Sequence, residues 1–219
     1  MFDRIRTADA DRVTYYTQVG SPIGPLLLTS DGAALTGLHM SPLRPGPATG
    51  DVASDWGLAG GAGMWVADAD AAPLRAAAAQ LAAYFAGRLT AFDLPLALHG
   101  TEFQRRVWTA LQAIPYGTTI SYGDLARWVG NANGSRAVGL ANGRNPIAII
   151  VPCHRVIGTN GKLTGYGGGL PRKAALLDFE FAVRLHGPAA FPPLVDLAGI
   201  ASPELMPLQP AESALVAAR

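Results

Sequence analysis

SYGDLARWVGNANGSRAVGLANGRNPIAIIVPCHRVIG, Ser121–Gly158, is the stretch whose reading decides the architecture. Its first half reads as two short helices. Ser121 to Val129 opens on a box-like Ser121–Asp124 pair, in which each side chain can satisfy a free amide of the first turn. Asn131 to Gly134 is a tight connector, and Ser135 is placed to cap a second helix from Arg136 to Asn142. Two short helices joined by a glycine-containing turn make a candidate helix-turn-helix. Such a pair either reads DNA or simply packs. Ala137, Gly139 and Ala141 are small enough to let the second helix approach another surface closely. Arg136 sits in its first turn, where recognition helices reach DNA. The second half of the stretch is an apolar run, Ile147 to Pro152, that delivers Cys153-His154-Arg155.

Working outward, Thr101 opens a preceding helix with the capping box T-x-x-Q, and Phe103, Val107, Leu111 and Ile114 line its inner face. Pro115-Tyr116-Gly117 ends it. Further upstream, Tyr15 to Leu28 and Ala33 to Met40 read as two strands around the Asp31-Gly32 turn. Ser41 to Gly63 is rich in Gly, Pro, Ala and Ser and reads as a long surface loop. Ala71 to Gly87 is an amphipathic helix with Leu74, Ala78, Leu81 and Phe85 on one face, and Phe92 to Leu98 is a third short strand. Downstream, a helix from Arg172 to Glu180 is expected, followed from Phe181 by a Pro- and Ala-rich tail without periodicity. The boundaries implied are 1–99 for an N-terminal α/β domain, 100–180 for a helical domain carrying Cys153, and 181–219 for a tail of unassigned role.

A chain of 219 residues can bury a core without disulfides or metal, and its single cysteine allows no internal disulfide. The formal net charge of +1 hides a gradient. Residues 1–100 carry six arginines against nine aspartates, net −3, whereas residues 101–180 carry nine basic against four acidic side chains, net +5. A basic central segment is what a nucleic-acid face requires. The N-terminus has charges of both signs and no apolar signal core, and no run is long enough to span a bilayer. A soluble, cytoplasmic protein is the expectation.

A lone cysteine is either a small buried hydrophobe or a nucleophile. Adjacent His154 and Arg155 favour the nucleophile, since nearby cationic groups stabilise a thiolate. In a regular strand, however, His154 would point to the opposite face from Cys153. Contact between them needs a turn or a bridging water. Thr164 to Gly169 is glycine-rich and either approaches a ligand closely or forms a flexible loop; it lacks the Lys-Ser/Thr of a phosphate loop. Glu180 either orients His154 as the third member of a Cys/His/Glu relay or is merely solvated. Histidines at 39, 99, 154 and 186 give no metal-binding spacing.

Pro152 to Gly158, P-C-H-R-V-I-G, resembles the methylated-DNA-protein-cysteine methyltransferases, or O6-alkylguanine-DNA alkyltransferases. The likeness extends through Gly100–Trp108, Ile114–Ala126, Arg136–Gly158 and Leu163–Gly169, and includes SPIGPLLL and YFAGRLTAFDLPL in the N-terminal half. It implies two α/β domains: a small antiparallel sheet with a helix, ribonuclease H-like, and a mostly helical domain with the helix-turn-helix. It further implies that Cys153 accepts a methyl or larger alkyl group from O6-alkylguanine in duplex DNA, once per molecule, with O4-alkylthymine left open as a further substrate. By the same resemblance His154 is the base acting through water, Glu180 orients it, and Tyr122 donates to the base ring as guanine leaves. Asn145 is a hinge between the recognition helix and the active-site loop, and Tyr166 and Gly167 wall the base pocket. Arg136 fills the stack vacated by an extruded nucleotide, and Ser135, Ala137 and Gly139 accompany it in the minor groove, largely without regard to sequence. No cofactor or metal is implied; zinc-binding and four-cysteine relatives have no counterpart in a chain with one cysteine. A monomer is expected, with cooperative assembly on DNA left open. Two rivals differ from this reading: a lesion-binding protein of the same fold that performs no repair, and a Cys/His hydrolase that turns over.

Overall fold

A computed structural model describes residues 13–41, 52–56, 58 and 63–187. The N-terminal half is built on a four-stranded sheet in the order β3-β2-β1-β4, from β1 (Val13–Val19), β2 (Leu26–Ser30), β3 (Leu35–Met40) and β4 (Met64–Ala67). The expected strand from Tyr15 to Leu28 is in fact two. Ser21 to Gly24 turns the chain, and β1 returns antiparallel on β2 with Tyr15 opposite Ser30. Two glycines and two prolines in residues 20–25 supply that turn. β4, which was not expected, pairs parallel with β1, so the sheet is mixed rather than wholly antiparallel. β2 is buried on both faces, as its unbroken Leu26-Leu27-Leu28 run requires of a central strand.

The stretch from Ser41 to Gly63 contains a one-turn helix, α1 (Val52–Asp55), and otherwise lies largely outside the described residues. α2 (Ala72–Phe85) packs on the sheet through Leu74, Ala77, Leu81 and Tyr84. Phe92 to Leu98 forms no strand. It touches β3 through one bridge, Leu35 with Leu96, because Pro95 has no amide to extend a ladder. A second bridge on the same edge joins Leu38 to Ile147. The edge of β3 is thus closed by two separate segments, and the second leads directly to Cys153.

The C-terminal half contains α3 (Glu102–Gln112), α4 (Tyr122–Trp128), α5 (Ser135–Gly143) and α6 (Leu170–His186). Both expected capping boxes are formed, at Thr101/Gln104 and Ser121/Asp124. Ser135 does not cap α5; Gly134 holds the cap position and Ser135 is the first helical residue. α4 and α5 pack together as the helix pair, and α3 supports α5 through a Trp108 Nε1 bond to Ala141 O of 2.8 Å. Gly100 makes room for that tryptophan: a Cβ there would lie 2.6 Å from its ring. A short parallel ladder pairs β5 (Ile120–Ser121) with β6 (Val156–Ile157) beside the helices.

α6 does not end at Glu180. It continues to His186 and stops at Gly187, whose φ of 78° suits glycine, so Glu180 occupies mid-helix. The proposed tail therefore begins as helix, and its remainder from 188 lies outside the described residues. One continuous apolar cluster runs through both halves, from Leu28, Leu38 and Tyr84 to Trp108, Ile149 and Phe179. Arg172 adds a polar clamp across them: Nε donates to Ile23 O at 2.7 Å, Nη1 to Ser41 O at 2.7 Å, and Nη2 to Ser41 Oγ at 3.1 Å. Arg172→Ala leaves buried carbonyls without a donor and is expected to lower unfolding free energy by about 2–4 kcal/mol. Urea denaturation measures the loss, and an unchanged midpoint would refute the clamp.

Candidate active site

Cys153 is presented by a compact turn. Asn145 braces it at both ends, its Oδ1 accepting from Ile147 N at 3.1 Å and its Nδ2 donating to Val151 O at 2.7 Å. Within the turn, Ile150 N reaches Ala148 O and Cys153 N reaches Val151 O, both at 2.8 Å, the spacing of γ-turns. Ile149 at the centre has φ of 69°, a left-handed conformation that a β-branched side chain adopts only under strain. Cys153–Arg155 then forms a single 3-10 turn. The alternation of a strand is lost here, so Cys153 and His154 are freed from pointing to opposite faces.

His154 and Glu180 are both fully buried. His154 Nε2 lies 2.9 Å from Glu180 Oε1. The carboxylate also accepts from Arg155 Nε (2.8 Å) and Nη2 (2.9 Å), Tyr84 Oη (2.8 Å) and Gly117 N (3.0 Å). Burial pushes the Glu180 pKa up, but His154 and Arg155 outweigh it and hold the carboxyl well below the usual carboxylate range. Burial lowers the His154 pKa against the pull of Glu180, so the ring is neutral at pH 7. With an ionised acceptor at Nε2, that nitrogen carries the proton and Nδ1 is the basic one. Nδ1 is buried and has no hydrogen-bond partner among the described residues.

Burial also raises the thiol pKa of Cys153, partly offset by the Asn145 side chain, the charge of Lys173 and the amides of Cys153 and His154. The resting group is a neutral thiol that needs a base. Lys173 is fully buried, donates to Val156 O at 2.6 Å and Thr164 O at 2.8 Å, and lies 5.8 Å from the Tyr122 ring centre. Burial brings its pKa down to about 8. Tyr122 Oη donates to Thr164 O at 3.3 Å. In front of the thiol is a cavity of about 190 Å³, lined by Asn142, Asn145, Tyr166, Gly167 and, from the N-terminal half, Met40 and Trp56. A larger cavity of about 250 Å³ lies against Pro152 and Arg155 and is not lined by Cys153.

The fold therefore brings Cys153, His154, Glu180, Asn145, Tyr166 and Gly167 to one place, with Tyr122 at its border. Arg136 and Ala137 are exposed on α5, whereas Gly139 faces the Tyr122 ring, where a Cβ would sit at 3.8 Å. Leu140, 66% exposed on the outer face of α5, escaped the sequence reading, as did Lys173, Asn142 and Tyr84. Lys173 was legible in principle, because it stands seven residues before Glu180 and so shares its helix face. Among the described residues, no cluster of three or more His, Cys, Asp or Glu could hold a metal, and no helix is long and apolar enough to cross a membrane.

A thiol with a histidine–carboxylate pair behind it, set beside a helix-turn-helix, defines a class of protein that carries a cysteine nucleophile to a nucleic-acid surface. Two family models match: the 6-O-methylguanine DNA methyltransferase ribonuclease-like domain over residues 14–98, and the DNA-binding domain of the same family over residues 102–182. The chain belongs to the 6-O-methylguanine DNA methyltransferase family. It is 52% identical over 166 residues to a methylated-DNA–protein-cysteine methyltransferase of Mycobacterium tuberculosis, covering 76% of this chain and 92% of that one. A relative of the same description from Methanosarcina acetivorans is 51% identical over 166 residues, covering 76% and 97% of the two chains. The fold is similar to the crystal structure of Mycobacterium tuberculosis OGT in complex with DNA, with a TM-score of 0.64, 52% identity, and coverage of 76% and 92%.

The buried relay makes the fold sensitive to acid. The pKa of His154 is below its ordinary value of 6.5, so below that pH the unfolded chain takes up a proton that the fold refuses. Glu180 lies below its ordinary 4.5, so its contribution is complete above that value and is lost as pH falls through the folded one. Both act in one direction. Stability is expected to decline from about pH 6.5 downward, by about 1.4 kcal/mol per pH unit for each group titrating only in the unfolded chain. Urea midpoints between pH 7.5 and 4 measure this, and a flat profile would contradict the assignment.

Proposed function

We propose that this protein repairs DNA by transferring a methyl or larger alkyl group from O6-alkylguanine in a duplex to its own Cys153. The observation that carries the reading is a neutral, buried thiol at the base of a cavity, backed by His154 with its acceptor nitrogen free. In the reaction, the thiol proton passes to His154 Nδ1 through one water while sulfur attacks the alkyl carbon. The S–C bond forms as the C–O6 bond breaks, and the electron pair leaves with guanine. Tyr122 donates to the ring nitrogen that gains charge. Glu180 keeps Nε2 protonated, which leaves Nδ1 as the base. Overall, the thiol hydrogen is exchanged for the alkyl group. A thioether is stable and the chain holds no second cysteine to displace it, so each molecule acts once.

The protein binds duplex DNA through α5. A thiol at the base of a cavity cannot reach a stacked base, so the damaged nucleotide must swing out. Exposed Arg136 fills the gap it leaves, and exposed Ala137 lets the helix lie in the minor groove. Phosphate contacts make binding salt-dependent and nearly indifferent to sequence. The protein acts as a monomer in the cytoplasm, where a lone thiol stays reduced.

Two experiments test this reading. After incubation with a duplex holding one O6-methylguanine, peptide mass spectrometry should find one added methylene on the Cys153 peptide, saturating at one per chain; Cys153→Ser should bind the duplex and gain nothing. Repeated turnover would instead indicate a hydrolase. Arg136→Ala should slow repair in duplex DNA by at least tenfold, about 1.4 kcal/mol, while leaving reaction with free O6-alkylguanine base near wild type. Equal losses on both substrates would remove Arg136 from the extrusion step.

A further inference from the structure

Tyr84 belongs to α2 in the N-terminal half, ninety-six residues from Glu180 in sequence, yet its hydroxyl reaches the relay. It is fully buried. Phe92, Tyr116 and Phe179 surround its ring at centroid distances of 5.4, 6.0 and 5.6 Å, two of them edge-on. The hydroxyl emerges from this aromatic cage at the carboxylate. The atom it meets is Glu180 Oε1, at 2.8 Å, and the same oxygen takes His154 Nε2 and Arg155 Nη2 at 2.9 Å each.

We propose that Tyr84 is a positioning residue for the proton relay, and that through Glu180 Oε1 it sets the orientation and basicity of His154. The inference deepens the function proposed above and rests on His154 acting as the base. Three donors share one oxygen, so each draws on the same negative charge. Without the Tyr84 hydroxyl, more of that charge falls to His154 Nε2–H, which binds more strongly and makes the ring more basic. The Tyr84 hydroxyl therefore keeps His154 less basic than an unshared Glu180 would make it. Burial and the charge of Glu180 push the phenol pKa well above 10, so Tyr84 remains a donor at every working pH. The other groups facing this cluster are Arg155, Tyr116 and Tyr166 near Glu180, and Cys153, Arg155 and Lys173 around His154. Arg155 Nη2 shares the same oxygen and takes part of the released charge, while the rings and charges of the other groups stay in place when one phenol oxygen is removed.

The test uses the full chain labelled with 15N-histidine, in Tyr84→Phe and in protein carrying 3-fluorotyrosine at position 84. Phenylalanine keeps the ring cage and removes the donor; fluorotyrosine is a more acidic phenol and a stronger donor. In Tyr84→Phe, the His154 Nε2–H proton resonance at pH 7 should move downfield and the His154 midpoint should rise, on the order of half a pH unit. Fluorotyrosine should shift both in the opposite direction. A purely structural tyrosine predicts lower stability with both His154 signals at their wild-type positions, and that result in the folded variants would overturn the proposal. Should Tyr84→Phe fail to fold, the fluorotyrosine protein alone decides, since it keeps the hydroxyl and the cage. If these shifts appeared while wild-type protein transferred no alkyl group, the proposed function would fail and the positioning role would stand.

Discussion

Glu180 is a carboxylate with no exposure to solvent, and its two oxygens accept from Tyr84, Gly117, His154 and twice from Arg155. Taking an ionised group out of water costs several kcal/mol, and only a nearly complete set of donors offsets it. Those donors come from α2, from the turn after α3, and from the 3-10 turn at Cys153, while the carboxylate itself rides on α6. The constraint is collective, because no one of these elements can shift without leaving a buried charge short of a partner. Its reach is visible at Gly117, where φ is 66° and a Cβ would lie 2.8 Å from Glu180 O. Arg155 extends the network further, through Nη1 to Ile114 O at 2.6 Å and over the ring of Tyr116.

The thiol is suspended between this charge cluster and the sheet. Pro146 and Ala148 hang on the edge of β3, Asn145 pins the turn that follows, and strain at Ile149 is held in place by burial on every side. α5 enters the same turn directly through Arg144 and Asn145. The helix proposed to meet DNA and the sulfur proposed to perform the chemistry are therefore carried on one braced segment.

Much of this was legible from the residues, and the failures have physical causes. Capping boxes at Thr101 and Ser121 are local hydrogen-bond patterns, so both were read correctly. The helix pair and Cys153–His154 are marked by short motifs, whereas Glu180 joins them only through the family resemblance. By contrast, β4 is four residues long and defined by a partner fifty-one residues away, and nothing local marks it. Phe92 to Leu98 has the composition of a strand, but Pro95 withholds the amide a ladder needs. The far end of α6 is not legible because its outer face carries Phe181 and Leu185 exposed, which blurs the amphipathic period. Tyr84 was hidden in plain apolar spacing: it packs as a core aromatic, and only the fold reveals that its hydroxyl meets a carboxylate from the other end of the chain.

The single sulfhydryl has a practical corollary. Every chain holds one cysteine, and in the proposed reaction that cysteine is the group consumed. Titration of free thiol in denaturant is thus a census of unspent molecules in any preparation, with no background from other sulfhydryls to subtract. By that reaction the protein keeps its own tally, one sulfur struck off for each lesion removed.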